Sequence, residues 1–288
     1  MGKSGIVFDM DGVVFVGDTP VQGVRGALMD LRAKGVCVLF MTNNSTKTRG
    51  AFVQKLRRMG IVARREEIMC TAYGCAFYLR RKYAGKKARA YVIGEGGLFE
   101  EIRNAGFEIV NESLAGGKAG FGTADAEDFN GNAGRIADFV VCGLDREFTY
   151  AKAAGALWHL QRKAALFGAN ADPTLPTESG LLPGSGSVLA MVEKASGKKA
   201  FVIGKPNAFL LLEHLKRHRI KAKDALFVGD RLDIDIAVAN KCGMHSVLAL
   251  SGIAKRKDVK NAPEGCKPQW IIKSAAHMRE VLEKLKWA

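Results

Sequence analysis

Two aspartates stand where an apolar run ends. Gly5-Ile6-Val7-Phe8 reads as a buried strand, and Asp9-Met10-Asp11-Gly12 follows it directly. Carboxylates have no place inside such a strand, but they are tolerable at its carboxyl end, where an open parallel sheet presents its ligand crevice. There, one carboxylate can attack a substrate or hold a metal while its neighbour two residues on moves protons. An Asx turn closing the strand would use the same residue types. A second run, 36–41, ends in Thr42-Asn43-Asn44-Ser45. This offers a hydroxyl, amides and a following helix N-terminus, which together make an anion pocket or a helix cap supplied by Asn44 or Ser45. A third run, 200–204, ends in Lys205-Pro206-Asn207. Lysine resists burial, so here it is either a fixed positive charge facing the crevice or a side chain snorkelling to solvent. A fourth, 225–229, ends in Asp230-Arg231-Leu232-Asp233-Ile234-Asp235. Carboxylates at a strand-to-helix junction can match the helix N-terminal charge, each for under about 1 kcal/mol. Gathered near Asp9 and Asp11, they would repel one another without a counter-charge. A divalent cation together with Lys205 resolves that repulsion, and an oxygen-only ligand set points to Mg²⁺.

The elements that must position these residues are legible as alternation. Apolar β-prone runs at 5–8, 36–41, 90–93, 139–141, 165–167, 201–203, 226–228 and 247–250, with a candidate last strand at 270–272, alternate with amphipathic stretches such as 48–59, 99–105, 150–163 and 208–219. That alternation argues a parallel α/β fold. The runs between 90 and 167 end in the chemically quiet Gly94, Cys142-Gly143 and Gly168-Ala169, unlike those that end in Asp9, Thr42, Lys205 and Asp230. The expected organisation is therefore a catalytic core of residues 1–84 and 180–288 with an α/β domain inserted at 85–179. An inserted domain beside a crevice is placed to act as a lid. The Gly-rich segment 116–134 is the most loop-like part of the chain.

Composition sets outer limits. With 288 residues, 48% hydrophobic, 25% charged and only 7 prolines, the chain reads as an ordinary globular protein. Its first residues lack a signal-peptide pattern, and no apolar run approaches the ~20 residues that span a bilayer. The six cysteines show no CxxC or zinc-ligand spacing, so reduced thiols and a cytoplasmic location are expected. The net charge of +15 is dispersed in short groups such as Arg80-Arg81-Lys82 and Lys216-Arg217-His218-Arg219. A nucleic-acid reader would concentrate its charge on one element. A solvated basic surface whose field draws in small phosphorylated molecules is the simpler reading.

The four strand ends, in this order, resemble the motifs of the haloacid dehalogenase superfamily. Asp9-Met10-Asp11-Gly12-Val13-Val14 looks like its first motif, Thr42 its second, Lys205 its third, and Gly229-Asp230 through Asp235 its fourth. The similarity extends to the branch with a large α/β cap, which holds the 4-nitrophenyl phosphatases and NagD-type nucleotidases. It rests further on Thr42-Asn43-Asn44-Ser45, Cys142-Gly143-Leu144-Asp145, Phe148-Thr149-Tyr150, Asn170-Ala171-Asp172-Pro173-Thr174 and Gly204-Lys205-Pro206. The resemblance implies a Rossmann-like parallel-sheet core with an inserted α/β cap. It implies that Asp9 attacks phosphorus to give an aspartyl-phosphate, and that Asp11 protonates the leaving oxygen and then activates water. Mg²⁺ would be held by Asp9, the backbone carbonyl of Asp11 and Asp230. Asp235, and Asp233 beside it, would orient Lys205 or metal-bound water. Thr42 and the Asn43 amide would bind phosphoryl oxygens, and Lys205 would stabilise their charge. The cap would select the substrate, with the loop carrying Asn170, Asp172 and Leu175 as its candidate contact. A proline-braced turn is the plainer account of that loop. Leu175 stands where pyridoxal phosphate phosphatases of this branch carry a histidine, which disfavours that substrate.

The expected activity is Mg²⁺-dependent hydrolysis of small phosphomonoesters, with 4-nitrophenyl phosphate as generic substrate and phosphoglycolate, nucleotides, or sugar and glycerol phosphates as metabolite classes. The alternative is a nucleic-acid-associated basic protein acting on polynucleotide ends. No membrane partner is expected, and a homodimer is a candidate assembly. Three motifs are set aside. Gly94-Glu95-Gly96-Gly97 fails the dinucleotide-binding pattern at Phe99, and Gly116-Gly117-Lys118 lacks the hydroxyl residue of a P-loop at Ala119. His214 and His218, on one helix face, are expected on the surface.

Overall fold

The computed structural model describes residues 4–112, 135–177, 180–285 and 287. The chain forms two compact units: Met1–Thr42, Arg49–Met69 and Lys205–Ala288 make the first, and Asn43–Thr48 with Cys70–Gly204 make the second. The loop-like segment 116–134 and the Gly116-Gly117-Lys118 motif lie outside the described residues.

In the first unit a six-stranded sheet is ordered Trp270–Ile272, His245–Ala249, Ala225–Gly229, Gly5–Asp9, Cys37–Thr42 and Ile68–Cys70. The pairings from Trp270–Ile272 across to Cys37–Thr42 all run parallel. Gly5–Asp9 and Ala225–Gly229 are buried along their whole length, as expected of central strands covered on both faces. Helices cover them through apolar positions spaced three and four apart, such as Val24, Leu28 and Leu31 of Val24–Ala33. The helix Ala208–Arg217 starts at Asn207, whose Oδ1 accepts the Phe209 N–H at 3.0 Å, so Pro206 precedes the helix and does not open it. The same helix corrects the surface expectation for His214, which is only 1% exposed. Its Nε2 meets the Glu67 carbonyl at 3.2 Å, and His218 Nε2 meets that of Glu66 at 3.0 Å.

The second unit holds a parallel sheet in the order Phe201–Val202, Ala165–Gly168, Phe139–Cys142, Arg89–Ile93 and Glu108–Ile109. Its core sets Tyr91, Val140 and Leu166 against Ala156 and Leu160 of helix Tyr150–Gln161 and Val188, Leu189 and Val192 of helix Ser185–Ser196. Thr174–Thr177 and Gly180–Pro183 form an antiparallel hairpin, with Leu175 opposite Leu182.

The unit boundaries therefore fall at 70 and 204, where 85 and 180 were expected. On the amino side, Tyr78 of helix Thr71–Lys82 stacks on Phe201 at 5.0 Å, and Tyr83, just beyond it, stacks on Phe139 at the same distance. On the carboxyl side, Phe201–Val202 is the edge strand of this second sheet and pairs with Ala165–Gly168. Expected in the catalytic core because Lys205 follows it, this run instead completes the inserted unit, and the chain returns to the core at Lys205 itself.

Candidate active site

The site is built where strands of the first unit end. Asp9 closes the central strand Gly5–Asp9, Asp230 follows its neighbour Ala225–Gly229, and Thr42 closes the strand on the other side. Parallel register brings these ends level, which is what gathers residues 33 and more positions apart in sequence at one edge. After Asp9 the chain turns tightly, with the Met10 carbonyl accepting the Val14 and Phe15 N–H groups at 2.9 and 3.1 Å. Gly12 takes φ +82 in this turn, and a Cβ there would overlap Asp230 Oδ2, so the position requires glycine twice over. Asp11 is exposed, and its Oδ2 accepts the Thr42 hydroxyl at 3.3 Å.

Lys205 is the electrostatic centre. Its Nζ donates to Asp9 Oδ1 at 2.5 Å and to Asp235 Oδ1 at 2.7 Å. Asp235 Oδ2 accepts the backbone N–H groups of Asp230 and Arg231, each at 3.1 Å. The segment Leu232–Ile236 is a single π-helical turn, which aims Asp235 inward. Asp233 points the other way: its side chain is 70% exposed and pairs with Arg231 at 3.2 Å. The expectation that Asp233 backs the metal ligands is thus corrected, because residues two apart on a helical turn face roughly opposite directions.

Asp9, Lys205, Asp230 and Asp235 are 7%, 2%, 3% and 1% exposed, so water screens none of their charges. Burial pushes Asp9 well above the usual carboxylate range; Lys205 opposes this, while Asp235 and Asp230 add to it. Burial, then the Asp235 charge, raises Asp230 to about 7. Burial alone would depress Lys205, but Asp235 and Asp9 overcome it and hold the ammonium above its ordinary value. One cation thus faces three carboxylates. Ligand atoms of Asp9, Asp230 and Asp235 lie within 4.8 Å of one another. Hard, oxygen-only donors in excess of the local positive charge fit a divalent cation such as Mg²⁺.

The other expected site residues belong to the second unit. Asn43 Nδ2 lies 3.3 Å from both carboxylate oxygens of Asp172, and Asn170 Nδ2 donates to the Asn43 carbonyl at 2.6 Å. Asn44 Oδ1 accepts the Thr46 N–H at 2.8 Å in an Asx turn, and Ser45 Oγ accepts the Leu144 N–H at 3.1 Å. The helix that one reading has them cap begins only at Arg49, so neither residue stands directly before it. Leu175 lies in the hairpin strand Thr174–Thr177 and is half-buried.

Sequence reasoning passed over Ser251, Gly252 and Ile253. Ser251 Oγ donates to the Gly12 carbonyl at 2.8 Å, and the Ile253 N–H donates to Asp230 Oδ2 at 2.9 Å. The signal was present: the run 247–250 also ends in a polar residue and a glycine.

Residues 6–108 match the family model of the haloacid dehalogenase-like hydrolases, and residues 202–278 match a second, HAD-hydrolase-like model. The chain is 37% identical to human glycerol-3-phosphate phosphatase over 267 residues, which cover 90% of this chain and 82% of that one. A p-nitrophenyl phosphatase from Archaeoglobus fulgidus shares the fold with a TM-score of 0.83 at 29% identity, covering 98% of this chain and 100% of that one. A glycerol phosphate phosphatase from Mycobacterium tuberculosis, solved in complex with magnesium, gives a TM-score of 0.81 at 32% identity, covering 95% of this chain and 76% of that one. The chain belongs to the haloacid dehalogenase-like hydrolases and, as its motifs lead one to expect, is one of their phosphatases. Among its described residues no helix is long and apolar enough to cross a membrane.

Proposed function

We propose that the protein is a Mg²⁺-dependent phosphatase of small phosphorylated metabolites that works through an aspartyl-phosphate on Asp9. The observation that carries this reading is the buried constellation in which Lys205 bridges Asp9 and Asp235 beside Asp230. In the first half-reaction a carboxylate oxygen of Asp9 forms a bond to phosphorus while the ester P–O bond breaks. Asp11, in its acid form, gives its proton to the departing oxygen, so the alcohol leaves neutral. In the second, Asp11, now a carboxylate, takes a proton from water as that water attacks the same phosphorus. Inorganic phosphate leaves and Asp9 is regenerated. Lys205 holds charge on the phosphoryl oxygens, and Asp235 keeps Lys205 protonated and aimed. Thr42, with Asn43 next to it in the chain, is the proposed donor to the phosphoryl oxygens. Asp9 and Asp230, with the Asp11 carbonyl, would hold Mg²⁺, which when bound neutralises phosphate charge and orients the ester.

The second unit is proposed to select the alcohol, since groups around Asp9 meet only the phosphoryl end. Similarity to two phosphatases named for glycerol phosphates makes a three-carbon polyol phosphate the first substrate to test, with 4-nitrophenyl phosphate as generic reporter. The relatives' small-molecule names favour this reading over one acting on polynucleotide ends. The six cysteines, all free thiols, support a reducing, cytoplasmic location. A homodimer remains the proposed assembly. Phosphate release should be measured over a panel of glycerol, glycolate, sugar and nucleoside phosphates with wild-type protein, Asp9→Asn, and wild-type protein plus chelator. Release that survives Asp9→Asn or chelation would overturn the mechanism.

A further inference from the structure

Three observations converge on the loop after the strand His245–Ala249. The Ile253 N–H donates to Asp230 Oδ2 at 2.9 Å, and the Ala254 N–H donates to the Asp230 backbone carbonyl at 3.0 Å. A Cβ at Gly252 would overlap Asp230 Oδ2, as would one at Gly12, so two glycines wall the same carboxylate oxygen. Finally, Ser251 Oγ donates to the Gly12 carbonyl at 2.8 Å, the carbonyl of the residue after Asp11.

We propose that Ser251, Gly252 and Ile253 form a positioning loop that sets two catalytic carboxylates at once, an inference that rests on the phosphatase reading above. The Ile253 N–H and the two glycines fix the rotation of the Asp230 carboxylate. They occupy Oδ2 and leave Oδ1, which accepts no hydrogen bond among the described residues, for the cation. The Ser251 hydroxyl ties the same loop to the Gly12 turn, whose open side carries Asp11. A buried metal-binding carboxylate and an exposed proton-transfer group thus share one anchor. None of the three loop residues is a catalytic residue; each acts through Asp230 or Asp11.

Calorimetric titration with Mg²⁺ and steady-state kinetics on 4-nitrophenyl phosphate, both with wild-type protein as reference, test the two arms. Ser251→Ala should lower kcat roughly tenfold, the scale of one lost hydrogen bond, and shift the pH profile while the Mg²⁺ Kd changes by less than about threefold. Ser251→Thr, which keeps the hydroxyl, should restore kcat to within about twofold. Gly252→Ala should weaken Mg²⁺ binding about tenfold or more by displacing Oδ2. Ile253→Pro, which removes the N–H donor while also fixing φ and replacing the half-exposed isoleucine side chain, should do the same and serves if Gly252→Ala does not fold. Unchanged Mg²⁺ affinity in the folded variants overturns the inference. So does a Ser251→Ala enzyme with wild-type kcat and pH profile, or a Ser251→Thr enzyme as impaired as Ser251→Ala. Calorimetry needs no turnover: wild-type protein that binds Mg²⁺ yet releases no phosphate overturns the phosphatase reading, while the Gly252 and Ile253 variants still decide this one.

Discussion

Lys205 Nζ and Asp235 Oδ1 are 2.7 Å apart, and both side chains are almost wholly removed from solvent. A buried ion pair is a poor source of net stability, because desolvating two charges costs about as much as their attraction returns. Its value here is placement. Asp235 is itself held by the N–H groups of Asp230 and Arg231, so one carboxylate fixes both the Lys205 ammonium and the backbone that presents Asp230.

Asp235→Asn should therefore impair catalysis more than folding. The amide oxygen can still accept both backbone N–H groups, but its NH2 then faces Lys205, which loses an acceptor and a full compensating charge. We expect kcat on 4-nitrophenyl phosphate to fall about a hundredfold or more, the scale for losing preorganised electrostatic stabilisation, with a smaller change in KM. Steady-state kinetics with circular dichroism as a folding control measures this. Activity within a fewfold of wild type would remove Asp235 from the machinery.

Asp11→Asn should separate the two half-reactions. A good leaving group such as 4-nitrophenolate needs little protonation, so Asp9 can still be phosphorylated. Hydrolysis of the acyl phosphate then lacks its base, a contribution of about 10²–10⁴-fold. Rapid mixing should show a burst of about one equivalent of nitrophenolate per site followed by slow turnover, the signature of an accumulating covalent intermediate. On glycerol phosphate, with its poor leaving group, no burst should appear. A linear trace with both substrates at wild-type rate would exclude Asp11 as the proton-transfer group.

How far the sequence alone carried the site depends on what each residue's position encodes. Asp9, Thr42 and Asp230 were legible because a buried strand that stops at a polar residue marks the carboxyl edge of a parallel sheet, and the structure puts all three there. Lys205 was legible as a residue but not as a boundary. The run before it, Phe201–Val202, pairs with Ala165–Gly168, and nothing local in a two-residue edge strand says which sheet it joins. Asp233 and Asp235 differ only in the direction each faces on one turn, which spacing from Asp230 could not specify before the turn was known to be π-helical. The short strand Ile68–Cys70 and the hairpin Thr174–Pro183 were missed because neither carries the long apolar run of a buried strand. Ser251 and Gly252 were legible in the same way, as a polar residue and a glycine closing the run 247–250, but Ile253 acts through its backbone N–H, and a backbone donor leaves no trace in residue identity.

Acid should destabilise the fold through buried histidines. Burial, reinforced by His218, lowers His214 to about 3, with Arg217 adding to the effect and the Glu67 carbonyl opposing it. In the second unit burial, then Arg162, lowers His159 to about 4, and its Nδ1 accepts the Ala137 N–H at 3.2 Å. Both pKa values lie below the unfolded value of about 6.5, so the unfolded chain binds more protons between the two limits. Stability is then fully present above about pH 6.5 and falls as pH drops toward 4 and 3. Urea midpoints across that range should show the decline, and His214→Gln should make it shallower. An identical slope in that variant would mean that His214 titrates as it does in the unfolded chain.

The second unit contains its own buried pair, and it sets up a sharper test of what such pairs do. Lys152 Nζ donates to Asp145 Oδ2 at 2.8 Å and to the Glu147 carbonyl at 3.0 Å, with side-chain exposures of 4% and 2% for Lys152 and Asp145. The helix Tyr150–Gln161 is thereby tied to the loop that precedes it, and Thr149 caps that helix by accepting the Lys152 N–H at 3.3 Å. Asp145→Asn leaves an uncompensated buried ammonium and should cost about 3–5 kcal/mol, visible as a large drop in Tm. The double variant Asp145→Leu with Lys152→Met has no charge left to desolvate. It should recover most of that loss, because a well-packed apolar replacement of a buried pair is often neutral or better. The measurement is a double-mutant cycle on thermal or urea unfolding. If the double variant is no more stable than the single, the pair contributes hydrogen-bonded loop structure that apolar packing cannot replace, and its role is more than charge balance.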